Sequence, residues 1–375
     1  MKEKKDSSAL NYYSLDNILK YNCDYNIIIG ERSNGKTYAA LDYALSHYVK
    51  NKEQFAYVRR YKEDYRGKRG QALFESLSYN NRITEATHYQ FSTVYYYAGR
   101  WFLANRDEIL NKLIPSDDPI GYAFSLSDME HDKSTSYPRV TTIIFDEFLT
   151  RNYYLTDEFV TFMNVVSTIV RQRDNIKIFM LGNTVNRYSP YFKEMGLTHV
   201  AEQNQGTIDI YTYGESNLRV AVEYADSPNK EKPSDKYFAF NNPKLNMVTS
   251  GVWELAMYPH LPMKYSKKDI VFTYFIDFNE NLLQCEIISK NNTIFTFIHE
   301  KTTPLQDEDH DLIYSEKFDP RPNWHRNIRK PASPLEKKVA SFYAQEQVYF
   351  QDNEVGEIVR NYLMFCLKET GVLRS

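Results

Sequence analysis

The chain has 375 residues, of which 42% are apolar and 15% aromatic, enough for two buried cores and too hydrophobic for a disordered chain. A formal net charge of −3 excludes a general nucleic-acid coat, so any grip on a polyanion has to come from a local basic patch. The opening MKEKKDSSALNYYSL lacks the apolar stretch of a signal peptide, no run approaches the ~18 apolar residues of a membrane helix, and Cys23, Cys285 and Cys366 stand too far apart for a zinc knuckle or a disulfide framework.

The expectation is therefore a cytosolic, reduced, soluble protein with no membrane partner. In chain order, Tyr25 to Ile29 is a short apolar run rich in branched residues, the pattern of a buried parallel strand. From Lys36 to Val49 the apolar residues recur at helical spacing, and a second strand is predicted at Phe55 to Val58, followed by a strongly basic loop. The stretch 87–104 is ambiguous and is read as a strand followed by a helix; Gly121 to Leu126 reads as another strand. Thr141 to Phe145 is a buried run ending in Asp146-Glu147. Thr156 is placed as the N-cap of a helix through Val170, and Ile176 to Leu181 is a strand closed by Gly182-Asn183-Thr184. Strands alternating with helices predict an α/β domain with a mainly parallel sheet over residues 1–225.

Residues 226–262 open with the polar, proline-bearing DSPNKEKPSDK and are read as a linker region. In the remaining 263–375, three strands are predicted at Ile270 to Phe278, Leu282 to Ser289 and Thr293 to His299, joined by Asn279-Glu280-Asn281 and Lys290-Asn291-Asn292. Helices follow from about Pro334 to Gln347 and Glu354 to Lys368, giving a smaller α+β domain.

Gly30-Glu31-Arg32-Ser33-Asn34-Gly35-Lys36-Thr37, followed by Tyr38, fits G-x-x-x-x-G-K-[ST] between a predicted strand and a predicted helix. Such a loop wraps backbone N–H groups around phosphate oxygens, which its glycines permit. Lys36 is expected to reach the β- and γ-phosphates of ATP, and the Thr37 hydroxyl to ligate Mg²⁺. Arg32 could touch a phosphate, meet a neighbouring subunit or the catalytic glutamate, or simply lie in solvent. Asp146, at the end of its strand, is expected to hold Mg²⁺ through a water, and Glu147 to be the general base that orients and polarises the attacking water. A glutamate directly after that aspartate points to the additional-strand, catalytic-glutamate (ASCE) division of P-loop ATPases. There a further strand lies between the loop strand and the aspartate strand, and Asn183 or Thr184 would be its γ-phosphate sensor.

Arg171 and Arg173 emerge at the end of an apolar helix. Arg171 is the first choice for an arginine finger and Arg173 the second, against the plain alternative of cations favoured at a helix C-terminus. The segment from Arg59 to Gly70 carries Arg59, Arg60, Lys62, Arg66, Lys68 and Arg69, a candidate for tracking DNA phosphates without reading sequence. Lys62 could instead serve a neighbour's nucleotide.

Taken together, G-E-R-S-N-G-K-T, Y-V-R-R-Y-K, I-I-F-D-E-F-L and L-G-N-T resemble the genome-packaging ATPases of small short-tailed phages with protein-primed replication, over roughly residues 22–190. The resemblance implies a homo-pentameric ring that sits transiently on the portal vertex of a procapsid in the host cytoplasm and drives double-stranded DNA inward. It further implies an arginine acting in trans at the place of Arg171, a basic residue of Y-V-R-R-Y-K near the subunit interface, and a ribonuclease H-like second domain. That domain is expected to be a vestigial nuclease that docks on the portal or a structural RNA. A working nuclease, as in large terminases, would need convergent carboxylates, for which Asp277, Glu286 and Asp307 or Asp309 are the candidates.

Overall fold

A computed structural model of the chain describes residues 13–107, 109, 112–131, 136–150, 154–155, 157–184, 189–200, 202–226, 258–261 and 263–369. The chain divides into two compact units. The first comprises Met1–Thr150, Glu158–Val185 and Tyr191–Glu254; the second comprises Arg151–Asp157, Asn186–Pro190 and Leu255–Ser375. Most of the expected linker, and the expected helix cap Thr156, lie outside the described residues.

The first unit opens with a short helix α1 (Asp16–Leu19), then strand β1 (Tyr25–Gly30), helix α2 (Lys36–Asn51) and strand β2 (Gln54–Arg59). All six residues of β1 are buried, so both faces of the strand are covered and an unbroken apolar run is what that position demands. In α2 the buried Ala40, Leu41, Ala44, Leu45 and Tyr48 recur at helical spacing and form its inner stripe. Short helices α3 (Lys68–Ala72), α4 (Glu75–Tyr79) and α5 (Arg82–Ala86) follow, so the expected basic loop is partly helical.

The ambiguous stretch is a hairpin of two strands, β3 (Thr93–Tyr97) and β4 (Arg100–Asp107), rather than a strand and a helix. Ala98 (φ 47°) and Gly99 (φ 76°) form the two-residue turn whose positive φ values match the twist of paired strands. Trp101 is fully buried against the rings of Phe55, Tyr57, Phe74 and Tyr96, a packing that decides the segment's conformation. Beyond it come β5 (Lys112–Ser125), longer than the strand expected there, then β6 (Val140–Asp146), α6 (Glu158–Val170), β7 (Lys177–Asn183), α7 (Pro190–Glu194), β8 (Thr207–Tyr213) and β9 (Leu218–Tyr224).

The nine strands form one sheet in the order β3-β4-β5-β2-β6-β7-β1-β9-β8. From β5 to β9 every neighbouring pair is parallel, and antiparallel strands finish both edges. The fold is thus a mixed α/β sheet with mostly parallel strands, and β7 lies between the loop strand β1 and the aspartate strand β6.

The second unit carries β10 (Ile270–Phe278), β11 (Asn281–Lys290), β12 (Thr293–Glu300), β13 (Ile313–Ser315), β14 (Trp324–His325), α8 (Pro334–Ala344), β15 (Val348–Phe350) and α9 (Asn353–Glu369). The two tight turns are shorter than expected: Asn279-Glu280 and Asn291-Asn292, all four at positive φ. The sheet order is β14-β13-β10-β11-β12-β15. β11 is antiparallel to both β10 and β12, while β13 and β14 continue parallel to β10. Numbered from β10, that is 5-4-1-2-3 with only the second strand reversed, the strand order of ribonuclease H-like sheets, to which β15 adds a parallel edge. Ser333 caps α8 by accepting from the Glu336 N–H, while the Glu336 carboxylate returns to the Ser333 N–H.

Candidate nucleotide-binding site

The loop between β1 and α2 carries two residues at positive φ. Ser33 (φ 60°) and Gly35 (φ 97°) both take left-handed conformations, and a Cβ on Gly30 would stand 3.0 Å from Asn34 Nδ2 and 3.2 Å from Ala225 Cβ. Lys36 is buried. Its Nζ donates to the carbonyls of Glu31 (2.7 Å) and Gly30 (3.3 Å), to Asn34 Oδ1 (3.1 Å) and to Asn183 Oδ1 (3.3 Å) at the end of β7. Thr184 N–H donates to the Gly30 carbonyl (3.1 Å), which fixes the end of β7 against the start of the loop. Arg32 lies exposed.

Burial lowers the Lys36 pKa from 10.5 to about 8, partly offset by the negative charges of Asp146 and Glu31. Phosphate favours the protonated amine, so a nucleotide bound above pH 8 must bring a proton with it. Affinity for ADP should hold steady below pH 8 and then fall, by up to about tenfold per unit, until the pKa of the complex is passed. Calorimetry at pH 8.5 in buffers of different ionisation heat should register that uptake. An affinity flat from pH 7 to 9 would contradict it.

Across the loop mouth, Asp146 ends β6 and accepts from Thr37 Oγ1 (3.0 Å), with Tyr57 OH donating to the same Oδ2 (2.8 Å) and the Glu147 N–H to Oδ1 (3.0 Å). A hydroxyl and a carboxylate held together beside a lysine are the hard oxygen donors that suit Mg²⁺. Glu147 takes φ 56°, unusual for a residue with a side chain, and its half-exposed carboxylate accepts from Arg59 Nη2 (2.7 Å). Arg59 Nη1 lies 3.7 Å from Asp146 Oδ2, and its Nε donates to Asp64 Oδ2 (3.4 Å).

Two of the six cations expected to track DNA therefore do something else. Arg59 ends the strand beside β6 and lies against the carboxylates. Arg60 is buried, forks onto both oxygens of Glu158 (2.7 and 2.8 Å) and donates to the carbonyls of Glu147 (3.2 Å) and Phe148 (2.8 Å). Tyr57 and Arg59, two apart on β2, reach the carboxylates at the end of β6, while Arg60, just past the strand, turns to Glu158, which a count of charges cannot reveal. Of the rest, Lys62 pairs with Asp128 (2.5 Å), Arg69 donates to the Glu63 carbonyl (2.9 Å), and Arg66 and Lys68 are exposed.

Arg173, the second finger candidate, is a structural residue. Its guanidinium donates to the carbonyls of Tyr137, Pro138, Val140, Ile169 and Val170, closing the end of α6 and the approach to β6. Arg171 is exposed, at φ 40°. Helix α6 starts at Glu158, which shares Arg60 with the main chain just after β6, and its 13 residues run about 20 Å back to where Arg173 bonds to Val140 at the start of β6. Arg171 therefore stands far from the loop of its own chain.

A profile of the podovirus DNA encapsidation protein (Gp16) matches residues 6–212, more than half of the chain. The chain belongs to that family. Within it, the chain is 34% identical over 184 residues to the DNA packaging protein of Bacillus phage B103, covering 48% of this chain and 50% of that one. Against the DNA packaging protein of Bacillus phage phi29 it is 32% identical over 184 residues, 48% of this chain and 49% of that one. The chain thus spans about half the length of the curated relatives it matches. Two solved structures share the fold along nearly the whole chain: the Phi-28 gp11 DNA packaging motor (TM-score 0.57, 16% identity, 95% of this chain and 98% of that one) and the bacteriophage Phi-29 viral genome packaging motor assembly (0.56, 20%, 93% and 97%).

In the second unit, the nuclease candidates do not converge. Asp277 pairs in register with Leu282 and Glu286 with Thr273, four positions apart on the ladder, or about 13 Å. Glu286 is bound by Tyr265 and Gln284, Asp307 by His310 and Asp309 by Arg321. Among the described residues no group of three or more His, Cys, Asp or Glu side chains is arranged to hold a metal ion.

Proposed function

We propose that this chain is the ATP-hydrolysing subunit of a ring motor that drives double-stranded DNA into a phage procapsid. The observation carrying that reading is the meeting of Lys36, Thr37, Asp146, Glu147 and Asn183 at one sheet edge in a member of an encapsidation family. The loop from Gly30 to Thr37 cradles the phosphates with its N–H groups, and Lys36 exchanges its carbonyl partners for phosphate oxygens. Thr37 and Asp146 would hold Mg²⁺, which would supply positive charge beside the phosphates. Glu147 takes the proton of the attacking water. That carboxylate accepts from Arg59, so hydrolysis requires Arg59 to let go. Asn183, bonded to Lys36 from the end of β7, is the group that senses the γ-phosphate.

The finger is Arg171, supplied across a subunit boundary, since α6 carries it away from its own loop. DNA phosphates are met by Arg66, Lys68, Lys62 and Arg69. The ring is a pentamer at the portal vertex, with the portal and a structural RNA as further partners, and the ribonuclease H-like unit docks rather than cuts.

Mixing variants tests the core of this. Glu147→Gln and Arg171→Ala should each lose ATP hydrolysis when pure. An Arg171→Ala preparation should regain activity when Glu147→Gln protein is added, because the latter still offers an intact arginine to its neighbour. Normal hydrolysis by Arg171→Ala alone sinks the finger, and wild-type inactivity even with DNA and procapsids sinks the motor.

A further inference from the structure

Tyr57 lies in β2, next to the aspartate strand, and is buried with its ring edge-on to Trp101 (5.7 Å between centroids). A phenol in such a place needs a hydrogen-bond partner, and this one has Asp146 Oδ2 at 2.8 Å.

A carboxylate offers about four lone-pair sites. Oδ2 of Asp146 takes hydrogens from Thr37 Oγ1 and from Tyr57, and Oδ1 takes one from the Glu147 N–H. With both sites of Oδ2 filled, what is left is one place on Oδ1. Arg59 Nη1 stays 3.7 Å from Oδ2 while Nη2 bonds to Glu147 at 2.7 Å. Without the phenol, Oδ2 would have a vacant lone pair, free to draw the nearby Arg59 guanidinium onto the carboxylate in competition with the ion.

We propose that Tyr57 is a positioning residue for the Mg²⁺ of the bound nucleotide: by occupying Oδ2 it leaves Asp146 a single acceptor, on Oδ1, for a water of the ion. This rests on the nucleotide-binding reading above. The role is confined to the ion, so the nucleotide's own hold on the loop does not depend on it.

The test is titration of the full chain with a fluorescent ADP, once in Mg²⁺ and once in EDTA. Wild type should bind more tightly in Mg²⁺. In Tyr57→Phe the EDTA affinity should be unchanged and the gain from Mg²⁺ should shrink by about tenfold, the scale of one hydrogen bond to a charged group. Trp101→Phe, which disturbs the same packing without touching Asp146, should lower the melting temperature yet keep the full gain from Mg²⁺. An undiminished gain in Tyr57→Phe overturns the proposal, as does an equal loss in Trp101→Phe, which would make the effect one of packing. If wild type binds no nucleotide at all, it is the reading of the site that fails.

Discussion

Arg60→Ala should destabilise the first unit by about 3–5 kcal/mol, the cost of stranding a buried charge. Glu158, at the start of α6, has a fully buried side chain whose oxygens are bound by the Arg60 fork and by Tyr191 OH (2.8 Å). Removing the guanidinium takes the fork from that buried carboxylate, and also strips donors from the carbonyls of Glu147 and Phe148. Urea denaturation followed by circular dichroism should show the loss as a lower midpoint. The pair Arg60→Met with Glu158→Leu should recover much of it, because it removes both charges and refills the volume. A single variant as stable as wild type would mean that Glu158 finds another partner or a proton. Since Arg60 also supports the main chain just after Asp146, hydrolysis should fall in the variants even where the fold survives.

Glu147→Gln should lower the ATP turnover number by about 10²–10⁴-fold, the range that a positioned general base contributes. Nucleotide affinity should change little, because the loop, Lys36 and Thr37 are untouched. Glutamine keeps the shape but cannot take a proton, and it exchanges the charged partner of Arg59 for a neutral one. Single-turnover hydrolysis alongside equilibrium binding separates the two quantities. Turnover within a factor of a few of wild type would place the base elsewhere.

Much of the first unit was legible because its central strands are covered on both faces. The unbroken run in β1 and the Ile143-Ile144-Phe145 run in β6 have no other stable home. The shape of the Gly30–Thr37 loop was legible in part because glycine at a fixed place expresses backbone geometry directly: Gly35 sits at φ 97°, a conformation that residues with a Cβ rarely take. The hairpin of β3 and β4 was not, since its turn, Ala98-Gly99, is ordinary in composition and its pairing depends on Trp101 meeting rings more than 20 positions away in the chain. The parts of the site that eluded the sequence are those defined by a neighbouring strand. Tyr57 and Arg59 reach the carboxylates only because β2 pairs with β6, and two adjacent arginines of one charge run serve different partners. The alternation was readable, but which strand lay beside the aspartate was not.

Helix α6 runs from beside the end of β6 that bears Glu147 back toward the start of that strand, and Arg171 follows its last residue. On the proposed trans role of Arg171, socket and plug lie at different places on the protomer, so copies that complete one another's sites must join head to tail. Such contacts are heterologous, and a twofold dimer, which pairs a patch with itself, cannot satisfy them. Each added copy buries one socket and presents another, and only closure into a ring leaves none vacant. For a protein with this arrangement, concentration becomes a switch: dilute protomers with intact side chains should be nearly idle, and specific activity should climb steeply with assembly.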